Sequence, residues 1–272
     1  MRAMGWGRVA ALVGVGALVV CGQASAQLAE FYVGIDSRTA PFSAPVADGG
    51  GAYPDNPNSG RLTLLFNHVD HFHGLGTYRY VGPAASSVLD DTSANNRVPE
   101  ISTGQAPLPL VPGSGAYAGK NVTLHLAGVE YSDLELRNVQ SLAGVDEVLF
   151  HSSTDRWSGA FAAADVHLKL LSVSSPHLNV GSLTDPAALP VGGDVHLGEG
   201  SELFSFTPVL WVALAAPAGD YWAEFQLVDE SGTYGNSGRF FIDVRHAVPE
   251  PASLLMFLGG VSIVGLNLRR RS

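Results

Sequence analysis

Apolar and polar residues alternate along much of this chain. The runs Arg61 to Phe66, Asn121 to Leu126, Asp133 to Arg137, Asp165 to Leu170, Tyr221 to Val228 and Arg239 to Val244 all follow this rhythm. A period of two marks strands with one buried face, because successive strand side chains point to opposite sides. Turn-forming clusters separate the runs: Pro54 to Gly60, Pro112 to Gly115, Gly192 to Asp194 and Ala216 to Asp220. No segment sustains a 3.6-residue apolar period. The pattern predicts an all-β fold, an antiparallel β-sandwich built as one large domain or two small ones. A break between two such domains would fall near residues 152–159.

The two ends follow other rules. Arg2 and Arg8 precede an apolar stretch from Val9 to Val20, and Ala24-Ser25-Ala26 supplies small residues for cleavage between Ala26 and Gln27. This is the tripartite form of a signal peptide, cut by signal peptidase. The apolar run is shorter than the roughly 20 residues of a membrane span, which argues against an uncleaved anchor. At the other end, Pro249-Glu250-Pro251 leads into an apolar stretch from Leu254 to Leu268, closed by Arg269-Arg270-Arg271. The prolines break regular structure before the span, and the arginines hold its far end in the cytoplasm. The layout predicts three parts: a signal peptide at 1–26, an exported β-rich region at 27–247 and a C-terminal transmembrane sorting helix within 248–272.

That C-terminal segment resembles the PEP-CTERM sorting signal. The resemblance implies export through the inner membrane, a transient anchor and processing near Pro-Glu-Pro by an exosortase-type enzyme. It also implies a final place at the cell surface or in an extracellular matrix, with exopolysaccharide as a companion. A plain tail anchor is the alternative.

Charge and cysteine content narrow the partners. Ten of the 15 basic residues and all 25 acidic residues lie between Gln27 and Pro251, a formal charge of −15. Such a surface repels nucleic acid and anionic lipid. The single cysteine, Cys21, lies in the signal peptide. Processing therefore leaves no disulfide and no thiolate ligand, so any metal must be held by His, Asp or Glu.

One segment has the residue types and spacing for that chemistry. His68-Val69-Asp70-His71-Phe72-His73 gathers three of the nine histidines and a carboxylate within six residues. If 71–73 is extended, His71 and His73 share a side while Phe72 enters the core. His68 and Asp70 close the site if the chain bends before His71, and Asp70 has a second option, orienting a histidine from behind. Gly74 and Gly76 permit a sharp local path. The candidate metal ligands are thus His71, His73, His68 and Asp70, with zinc as the matching ion. His125, His167 and His196 sit on the polar sides of their alternations and are remote candidates. A solvated polar face is the plain alternative for all of them. No Gly-x-Ser-x-Gly elbow, phosphate loop or His-Glu-x-x-His is present, so the expectation is a non-enzymatic protein.

A second resemblance spans the middle of the chain. Asn58 to Phe66, His71 to Tyr78, Asn95 to Glu100, Gly113 to Lys120 and Glu130 to Leu134 resemble a PEP-CTERM family of cyanobacteria and related bacteria. That family is repressed by the zinc-uptake regulator. The resemblance implies expression under zinc limitation and a part in zinc homeostasis outside the cytoplasm. Leu210-Trp211 and Gly219-Asp220-Tyr221 are similar to anchored β-domains beside bacterial metal-uptake operons, although the His-rich strand of those domains is missing here. The rival reading is a matrix or adhesion module that presents aromatics such as Tyr78, Tyr80, Trp157 and Trp222. The two part on geometry: a zinc protein brings its histidines within about 5 Å of one another, and an adhesion module shows an aromatic strip.

Overall fold

The computed structural model describes residues 30–40, 53 and 55–247. The signal peptide, the Ala26/Gln27 cleavage point and the sorting motif at Pro249, Glu250 and Pro251 lie outside the described residues. Within the described residues no helix is long and apolar enough to cross a membrane.

The chain is mostly strand. A five-stranded sheet runs in the order Ser205–Phe206, Leu136–Asn138, Phe31–Ile35, Leu62–Asn67 and Phe72–Leu75. A second sheet runs Asp194–Glu199, Asp165–Val173, Gly219–Asp229, Phe240–His246 and Arg97–Val98, with Leu108–Pro109 also on Phe240–His246. These two sheets face one another, and Phe31, Leu64, Val98, Leu168, Phe225 and Ile242 meet between them. A smaller sheet joins Asn179–Gly181, Val209–Ala213, Lys120–Val122 and Val111–Pro112. Most ladders are antiparallel, but Phe31–Ile35 pairs in parallel with Leu136–Asn138, as Phe240–His246 does with Arg97–Val98 and Leu108–Pro109. Those pairs join strands far apart in sequence, and only a tight hairpin forces the antiparallel sense.

Alternation is read correctly where one face meets the core. Val166, Leu168 and Leu170 are buried while Asp165, His167 and Lys169 are not. It fails at Asn121 to Leu126. The strand there covers only Lys120–Val122, Asn121 and Thr123 are buried, and Leu124 is exposed. The inward polar groups find partners: Asn121 Nδ2 lies 2.8 Å from buried His246 Nε2, and Thr123 Oγ1 accepts from the Leu210 N–H at 3.0 Å. A buried polar face is tolerable when every group is hydrogen-bonded. Trp157 packs in one continuous core with residues from both sides of 152–159 and is only 1% exposed. It is therefore not available as an exposed adhesion aromatic.

Candidate metal centre

The three clustered histidines are placed by a hairpin. Leu62–Asn67 and Phe72–Leu75 pair up to Asn67 opposite Phe72, leaving residues 68–71 as the loop. His68 N–H donates to His71 O, and Asp70 N–H donates to His68 O, both at 2.9 Å. Val69 sits at the tip with φ +67° and is largely exposed. A β-branched residue rarely takes that left-handed conformation. Phe72 is buried edge-on against Tyr32, with ring centres 5.7 Å apart. It fixes the strand so that His71 and His73 emerge on the other side. At the strand's end Gly76 takes φ +64°, and a Cβ there would lie 3.0 Å from the Gly238 carbonyl.

One ligand atom from each of His68, His71 and His73 falls within 4.8 Å of the others. His71 Nε2 and His73 Nε2 are 3.1 Å apart. Each ring is held from behind: His71 Nδ1 lies 2.7 Å from Asp70 Oδ1, and His73 Nδ1 lies 2.8 Å from Glu100 Oε2. When Nδ1–H donates to a carboxylate, the neutral ring presents a bare lone pair at Nε2. Two such lone pairs at this separation repel unless a proton or a cation lies between them. Zn–N bonds of roughly 2.0–2.1 Å put two tetrahedral nitrogens about 3.4 Å apart, close to the spacing seen. His68 is exposed and lies parallel to His73, rings 5.0 Å apart at 7°. It must tilt to share an ion, and an exposed loop side chain is free to do so.

Asp70 thus stands behind His71, and its side chain is largely exposed. The hydrogen bond with His71 holds its carboxyl below the usual carboxylate range. Glu100 is the residue the sequence did not single out. It is 1% exposed and accepts from His73, from Asn95 Nδ2 at 2.8 Å and from the Tyr131 hydroxyl at 3.1 Å. Burial, and then the facing Glu100, push the Tyr131 hydroxyl pKa well up, so it remains a donor. Tyr131 also stacks on Phe66, centres 4.1 Å apart, which ties this polar group to the core.

The remote candidates do not join this group. His167 and His196 form a separate cluster with Asp165 on the other large sheet. His125 is in neither cluster and lines a surface groove with Thr123, Ser132 and Asp133. Among the proposed adhesion aromatics, Tyr78 lies under the Arg61 guanidinium, Tyr80 packs on Tyr53, and Trp222 packs on Phe241.

The chain matches the PEP-CTERM protein-sorting motif over residues 247–271. That motif marks exported proteins held briefly by a C-terminal anchor before processing by an exosortase. No curated protein and no solved structure matches the chain.

Proposed function

We propose that this exported protein binds zinc, or a similar divalent metal, at the hairpin tip and serves as a non-enzymatic zinc-binding protein of the cell surface. His71 and His73 ligate through Nε2, and His68 completes the protein's share of the coordination. Asp70 and Glu100 fix the tautomer and aim of the two inner rings, the carboxylate–histidine–metal arrangement that supports bound metals in proteins. The observation that carries the reading is the pair of Nε2 atoms 3.1 Å apart, each with its Nδ1 on a carboxylate. The resemblance to a zinc-regulated family supports the same assignment and suggests that the protein acts when zinc is scarce.

Calorimetric titration of the purified protein with zinc, beside a His71→Ala/His73→Ala variant, tests this. The expected result is stoichiometric uptake whose tip component disappears in the variant. Uptake equal in the two proteins would overturn the assignment and leave an exported β protein whose link to zinc is only regulatory.

A further inference from the structure

The second histidine cluster stands on a different sheet and owes nothing to the hairpin. Asp165 and His167 lie two residues apart on one face of Asp165–Val173, and His196 on the edge strand Asp194–Glu199 is the register partner of His167. The ladder shifts register between Val166 and His167. Asp165 Oδ1 lies 3.2 Å from His167 Nε2 and 3.1 Å from His196 Nε2. The imidazole rings are 5.0 Å apart, inclined at 41°.

Two further features separate this group from an ordinary polar strand face. His167 Nδ1 is held 2.6 Å from Asp194 Oδ2, which leaves Nε2 of a neutral ring with a free lone pair beside Asp165. Asp165 Oδ1 is inaccessible to solvent yet has no hydrogen-bond partner, although both imidazole nitrogens are near. A buried carboxylate oxygen left without a hydrogen bond is costly. The nitrogens crowd it at ligand-to-ligand spacing without pointing hydrogens at it. The backbone beneath is fixed, because the Asp165 N–H donates to Asp229 Oδ1 at 2.8 Å.

We infer that Asp165, His167 and His196 form a second divalent transition-metal site, with Oδ1 and the two Nε2 atoms as ligands and Asp194 as the positioning residue for His167. Two imidazoles and one carboxylate suit first-row ions such as zinc or cobalt(II). Three protein ligands on a half-exposed face leave the remaining positions to water. This is an exchangeable site, and it stands whether or not the hairpin tip binds metal.

Cobalt(II) absorption and zinc calorimetry on the whole protein test it, using His167→Gln/His196→Gln, Asp165→Asn and the tip variant His71→Ala/His73→Ala. If both sites bind, the starting protein takes about two equivalents, each paired variant about one, and the combined variant none. If the tip reading fails, about one equivalent remains, and only the strand-face variants remove it. Asp165→Asn keeps the side-chain shape and should weaken this site at least about tenfold, with Asp194→Asn costing a similar factor. Cobalt and zinc uptake unchanged in His167→Gln/His196→Gln and in Asp165→Asn would overturn the inference. So would nitrogen NMR showing both His167 ring nitrogens still protonated in excess zinc, the signature of an imidazolium bridging Asp165 and Asp194.

Discussion

The hairpin tip and the strand face pose the same chemical problem and solve it differently. At the tip, three histidines come from six consecutive residues, and the carboxylate behind His73 is buried. On the strand face the ligands come from two strands brought together by register, and the carboxylate behind His167 is about half exposed. Local sequence can gather ligands cheaply, but it takes the tertiary fold to place a buried orienting group. The tip is therefore anchored in the core through His73, while the strand face depends on the register of two strands.

Removing the orienting carboxylates should expose that difference most strongly. Glu100→Ala strands the buried Tyr131 hydroxyl and releases the more exposed His73 and Asn95 donors, and should cost about 1–3 kcal/mol of stability. It should also weaken tip metal binding by about 10–100-fold. Asp194→Ala, at an exposed position, should cost under about 1 kcal/mol. Chemical denaturation beside metal titration would check both; equal costs would erase the proposed contrast.

The next effect is in pH. Burial raises the Glu30 carboxyl to about 7, against the opposing hydrogen bond from the Asp133 N–H. The native state then holds this proton more tightly than the unfolded chain does. Its contribution is fully present below about pH 4.5 and is lost as pH rises through 7, on the order of 2 kcal/mol. Metal binding has the opposite slope, because protons compete for imidazole nitrogen. The Glu30 carbonyl accepts from the Asn67 N–H at the base of the hairpin, so both trends meet there. Denaturation of metal-free Glu30→Gln should show a flatter pH profile, and an unchanged profile would remove Glu30 as the cause. The smallest effect lies at the loop tip. Val69→Asn suits the left-handed backbone and should gain up to about 1 kcal/mol in thermal unfolding without lowering metal affinity.

The sequence shows the first site more fully than the second for a physical reason. His68, His71 and His73 are neighbours, and alternation alone predicts that His71 and His73 share a side with Phe72 opposite. Glu100 lies 27 residues from His73, and only the approach of the segment after Arg97–Val98 to the hairpin reveals it. His167 and His196 were visible as polar positions on separate strands, but their pairing depends on a ladder that periodicity does not encode. Alternation also misleads where both faces are covered, as at Asn121, Val122 and Thr123, because a pattern of two does not say whether the polar side meets water.

The bond from His73 to Glu100 has a consequence for how long the protein lasts. His73 belongs to the edge strand of one large sheet, and Glu100 follows a strand of the other. An ion that fixes the His73 ring thereby clasps the two sheets together at their margin. A ligand present at 100 times its dissociation constant stabilises the form that binds it by about 2.7 kcal/mol. After export, where proteases sample whichever copies open, loaded molecules would outlive empty ones. The metal would then govern the residence time of the protein as well as its cargo.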